Sequence, residues 1–159
     1  MKLRAAVVIA SLLIALNVAC AGAAGEATII PDLAAEHWMP APATLPKGTK
    51  ILLLDGDPSK AGPFALRVEF PPNTTIAAHR HATAESLTVL QGSFYHEVGD
   101  TVDKSHGTLV KTGGFVYLPG MTPHSLWTTS DGDTIVQVDG TGPFGLLYVN
   151  PADDPSKSS

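Results

Sequence analysis

What most limits the fold of this chain is how short its apolar runs are. From Lys50 onward, stretches such as KILLLD, FALRVEF and ESLTVLQ are each cut off by Gly, Pro, Asn or Asp, and helical periodicity is nearly absent. Short runs bounded by turn formers read as β-strands. We place strands near 50–55, 64–70, 75–81, 85–91, 93–98, 107–111, 114–118, 123–129, 133–139 and 143–149. The intervening segments, among them Asp55-Gly56-Asp57-Pro58, Pro71-Pro72-Asn73 and Asp131-Gly132-Asp133, supply positive φ, a fixed φ, or a side chain that closes its own turn. The fold class is therefore all-β, a sandwich or barrel over 50–150. Residues 25–49 carry four prolines and one short helical turn at 32–37, and read as an arm over that barrel. Residues 151–159 read as a flexible tail.

The first 24 residues have another character. Lys2 and Arg4 precede an apolar stretch from Ala5 to Ala19, then small residues, the order of a secretory signal peptide. The stretch is shorter than the ~20 residues of a spanning helix. Cleavage after Ala21 or later also removes Cys20, the sole cysteine. Cys20 as a lipoprotein anchor is the less favoured alternative, because Asn17 stands where an aliphatic residue is wanted. The expected location is periplasmic or secreted, with no membrane contact after cleavage. Loss of Lys2 and Arg4 takes 10 Lys+Arg to 8 against 15 Asp+Glu, a net charge of −7. Such a chain lacks the basic surplus that nucleic acid requires. Without cysteine, any metal must be held by His, carboxylate or water.

The chemistry-bearing stretch is Asn73 to Gly92. His79 and His81, two apart on a strand, project from one face. Glu85 follows a three-residue turn, and hairpin pairing would return its carboxylate beside them. His124 opens a later strand, 39 residues after Glu85. By themselves two histidines so spaced are more often a polar face than a ligand pair.

The segment NTTIAAHRHATAESLTVLQG resembles the first cupin motif, two His separated by one residue, then Glu, then Gly after six intervening residues. GGFVYLPGMTPHSLWT is similar to the second, with Gly113, Pro119 and His124 in place. Asn73 replaces an opening Gly, Met121 stands where a Gly is expected with Gly120 one place early, and Thr128 replaces a closing Asn. The resemblance, which extends to the small secreted single-domain cupins of bacteria, implies a double-stranded β-helix, or jelly-roll, with a metal in the barrel mouth. It also implies His79, His81, Glu85 and His124 as ligands.

Three imidazoles and one carboxylate around a divalent ion leave net charge +1 and, in an octahedral arrangement, two open positions. With a single Arg before the apolar stretch there is no twin-arginine signal, so the metal is expected to load outside the cytoplasm. Affinity order there favours zinc or copper over nickel, iron and manganese. Strand alternation puts Leu87 and Val89 on the face of Glu85, and Leu126 and Thr128 on that of His124, which makes a largely apolar pocket. Tyr95 and Tyr117 are candidate hydrogen-bond donors to it. His96 joins only if Tyr95 does not, and otherwise reads as exposed. Trp127, on the opposite parity, is expected to pack against a neighbour, while Arg80 points away from the ligands and His37 and His106 are solvated. Glu85 is also a candidate proton shuttle. The expected function is a metal-dependent oxygenase, or related lyase or hydrolase, acting on a small oxygen-rich substrate. The alternative is a non-catalytic ligand- or metal-binding module. Resemblance to other cupins implies a homodimer.

Overall fold

A computed structural model describes residues 27–33 and 37–157. The stretch 1–24, read as a signal peptide and holding Cys20, lies outside the described residues, as do the centre of the 32–37 turn and the last two residues. Eleven strands form: β1 (Met39–Pro40), β2 (Lys50–Gly56), β3 (Gly62–Phe70), β4 (Thr75–Arg80), β5 (Glu85–Gln91), β6 (Ser93–Val98), β7 (Thr108–Lys111), β8 (Phe115–Leu118), β9 (His124–Thr128), β10 (Thr134–Gly142) and β11 (Leu147–Tyr148). They make a six-stranded sheet, β1-β2-β3-β10-β5-β8, and a five-stranded sheet, β11-β4-β9-β6-β7. Every pairing is antiparallel, and together the sheets form the jelly-roll. Among the described residues no helix is long and apolar enough to cross a membrane.

Alternation along each strand decides what faces inward. On β5, Glu85, Leu87 and Val89 are buried while the residues between them are not; on β6 the buried pair is Phe94 and His96. Phe64, Val68, Phe70, Val136 and Val138 join Leu87, Val89 and Phe94 in one apolar core between the sheets. Each such side chain contributes roughly 1.5–3 kcal/mol. All of β9 is buried, because its outer face is covered as well. Trp127 stacks on Tyr95 at 5.6 Å, and a Cβ at Gly107 would come within 2.4 Å of its ring.

The arm meets the barrel through β1, with Met39 opposite Ile51 and Pro40 opposite Lys50. Leu45 packs against the core, and the Tyr148 hydroxyl donates to the Thr44 carbonyl at 2.7 Å. The end of the chain forms two short 3₁₀ turns, Pro151–Asp153 and Pro155–Lys157, the first capped by Asn150.

Candidate metal centre

Three strands, β4, β5 and β9, bring four donors together. On the paired strands β4 and β9, His79 and His124 are direct register partners, with ring centroids 4.2 Å apart. His81 lies just beyond the end of β4, its ring 5.1 Å from His79 and 5.5 Å from His124. The three imidazoles offer nitrogens within 4.8 Å of one another. Glu85 arrives by a route other than the expected hairpin. β4 and β5 belong to different sheets, so the turn at 82–84 crosses between them and Glu85 faces the histidines across the barrel. Its Oε1 stands 3.1 Å from His124 Nε2 and 3.3 Å from His81 Nε2. All four residues are buried.

The hydrogen bonds fix which nitrogen is free. Nδ1 of His79 donates to the Ala77 carbonyl at 2.8 Å, that of His81 to Gly145 at 2.9 Å, and that of His124 to Thr122 at 3.1 Å. A carbonyl can only accept, so each Nδ1 carries a proton, and in the neutral imidazole each Nε2 then presents a lone pair. Glu85 Oε1 has no hydrogen-bond partner although fully buried, and the nearest ring atoms are these acceptors. Acceptors converging without a proton between them are costly unless a cation lies among them. The donor set thus fits a divalent ion, with backbone carbonyls orienting the rings as is usual at metal sites. Burial holds His79 well below the ordinary imidazole pKa, helped by His124 and His81, and burial likewise lowers His81. Neutral imidazole is the ligating form.

His96 is the residue that sequence reasoning set aside. It is 7% exposed, not solvated, and its ring stacks on His124 at 5.4 Å and 22°. Its Nε2 is buried without a partner, and burial, then His124, push its pKa down to about 4. The rule that only one of Tyr95 and His96 can face inward was the available signal. Tyr95 instead lies on the outer face against Trp127.

Beside the donors is a cavity of about 280 Å³. Leu87 and Leu126 line it as strand alternation predicted; Val89, Tyr95, Tyr117 and Thr128 do not. Val89 is on the correct face but fills core outside the cavity. Tyr117 is 59% exposed on β8, the edge of its sheet. Thr128 is structural: its Oγ1 donates to the Pro71 carbonyl and accepts from the Thr74 amide, both at 2.8 Å, pinning the entrance to β4. Arg80 pairs outside with Asp100 at 3.2 Å, and exposed His106 with Asp103 at 2.7 Å.

Two motif departures have a physical explanation. Among the described residues Asn73 and Met121 are the non-glycine residues with positive φ, 57° and 64°, so the backbone keeps the left-handed turn that a glycine would adopt. A Cβ at Gly120 would lie 2.8 Å from the Ala82 carbonyl, so Gly120 allows the turn before His124 to pack against the turn before Glu85. Met121 then closes that turn, its amide donating to the His81 carbonyl at 2.7 Å. A left-handed residue other than Gly costs about 1–2 kcal/mol, and Gly loses about 0.5–1 in chain entropy. Met121→Gly is therefore expected to stabilise by about 0.5 kcal/mol, read as a higher urea midpoint at unchanged slope.

A jelly-roll with three histidines and a glutamate converging at one end of its interior defines a cupin. More specifically, the chain belongs to the ChrR Cupin-like domain family, whose model matches residues 26–144. No curated protein matches it. Among solved structures it is similar to the polyketide cyclase RemF from Streptomyces resistomycificus, with 21% identity, 70% of this chain and 78% of that chain covered, and a TM-score of 0.57. It is also similar to KdgF from Halomonas sp., at 16% identity over 75% of this chain and 96% of that one, TM-score 0.54. A chain in the complex of Rhodobacter sphaeroides SigE with the anti-sigma ChrR matches at 20% identity over 70% of this chain and 52% of its own, TM-score 0.53. At these identities the likeness shows the fold alone.

Proposed function

We propose that this protein is an exported, homodimeric cupin that holds one divalent ion with His79, His81, Glu85 and His124 and binds a small organic molecule beside it. One observation carries the reading: Glu85 Oε1, buried and unpartnered, faces Nε2 acceptors at 3.1 and 3.3 Å. Export with residues 1–24 removed favours zinc or copper over nickel, iron and manganese. When bound, such an ion polarises a carbonyl or lowers the pKa of water, and a redox-active one supports dioxygen chemistry.

The cavity favours the binding-module alternative over a dioxygenase, lyase or hydrolase. Among the residues lining it, the four donors are the only titratable side chains, so no separate acid or base stands ready. The enzymatic reading relies on Glu85 itself as proton shuttle.

The test is elemental analysis of protein recovered from the periplasm. Wild type is expected to carry about one zinc or copper per chain, and His79→Ala to lose most of it. Equal metal in both would sink the site; stoichiometric iron or manganese would overturn the metal preference.

A further inference from the structure

The cavity walls narrow what the site can accept. Leu45, Leu66, Val68, Leu87, Leu126 and Val138 supply apolar surface, and Glu85 is the one charged side chain in the lining. Among the described residues no lysine or arginine lines it. Two nearby backbone acceptors are already engaged: the Gly145 carbonyl by His81, and the Thr44 carbonyl by the Tyr148 hydroxyl. A ligand body rich in hydroxyls would surrender its hydration here and find almost nothing in return. The donor end is different. Three neutral imidazoles and one carboxylate leave a divalent ion one net positive charge, and in an apolar enclosure that charge favours one anion. At about 280 Å³ the space falls at the small end of ligand pockets.

We propose that the cavity selects a monoanionic organic acid with an apolar body, its carboxylate at the histidine and glutamate end and its body among the aliphatic walls. This rests on the metal-binding reading above, and sharpens the oxygen-rich ligand expected from sequence into one whose oxygens are confined to the head. Leu45 has a particular place in it. It belongs to the arm and not to either sheet, yet it lines the cavity, so the arm sets how long a body can be.

The experiment is calorimetric titration of the zinc-loaded full chain at neutral pH, with zinc content measured on the same sample. Benzoate and hexanoate are expected to bind at least about tenfold tighter than gluconate, which has the same charge and a polar body. They are expected to exceed uncharged methyl benzoate by a similar factor, and zinc-free protein is expected to lose the preference. Leu87→Phe should weaken benzoate at least about tenfold with zinc retained. Should that variant not fold, Leu45→Ala, outside both sheets, is expected to shift preference from hexanoate toward decanoate. Retained zinc with gluconate or methyl benzoate binding as well as benzoate would overturn the inference and leave the metal site standing. Acids binding equally without zinc, or no length shift in Leu45→Ala, would overturn it too. Failure to hold zinc would remove the reading beneath it.

Discussion

Glu85→Gln is expected to move metal affinity and metal-free stability in opposite directions. In the metal-free protein Glu85 Oε1 confronts lone pairs of His124 and His81 at 3.1 and 3.3 Å with no proton to share. Glutamine occupies nearly the same volume and places an N–H₂ there, which converts the opposition into donor–acceptor contacts. Leaving a buried polar group unsatisfied costs about 1–3 kcal/mol, more for a charged one. The metal-free variant is thus expected to gain on the order of 2 kcal/mol, several degrees in melting temperature for a domain of this size. Metal affinity is expected to fall by 10- to 100-fold or more, because the sole anionic donor is gone. Wild type with excess zinc should gain about 4 kcal/mol if zinc is supplied at roughly 1,000 times its dissociation constant. The variant should show little of that. Paired thermal melts with and without zinc decide the matter. A variant that is less stable without metal and equally stabilised by it would mean that Glu85 makes another contact and is not a ligand.

The sequence made most of this barrel legible because strands with one buried face must alternate. β5 is the clearest case: Glu85, Leu87 and Val89 share a parity, and that parity is buried. β6 was ambiguous because aromatic residues occupy both parities, Phe94 on one and Tyr95 on the other. Choosing the wrong one sends every side chain to the opposite face, which is how His96 was read as exposed. β8, FVYL, is apolar throughout, so nothing in its pattern could place Tyr117 on the open edge. The strand read at 143–149 shrinks to Leu147–Tyr148, because Pro143 lacks an N–H and the peptide of Gly145 turns its carbonyl to His81. β1 gave no signal at all, being two residues that include a proline and pair only because the arm lies beside β2. For the site, spacing showed which donors share a face along one strand. Which sheet carried Glu85 depended on long-range pairing that local spacing does not encode.

Acidification is expected to destabilise the metal-free protein steeply below about pH 6.5. The unfolded chain protonates its imidazoles near their ordinary pKa of about 6.5, whereas burial lowers the values of His79, His81 and His96 in the folded protein. Between the unfolded and folded values the unfolded state binds more protons, so stability is fully present above pH 6.5 and is lost as pH falls toward the folded values. For His96 that window closes at about 4. Each group contributes at most about 1.4 kcal/mol per pH unit within its window, so three together reach up to about 4. Against a typical stability of about 5–15 kcal/mol, one to two pH units suffice to threaten the fold. Exposed His106 runs the other way, since Asp103 raises its pKa and its small contribution is lost as pH rises, leaving the net sign to the buried three. Bound metal holds the donor histidines neutral and should move the collapse to lower pH. Urea denaturation at successive pH values gives the proton count directly from the slope. His96→Phe, which keeps the stack on His124 and leaves all four donors in place, is expected to reduce that count by about one. A stability that stays flat to pH 5, or a His96→Phe slope equal to wild type, would show that these imidazoles are reached by solvent protons in the folded state.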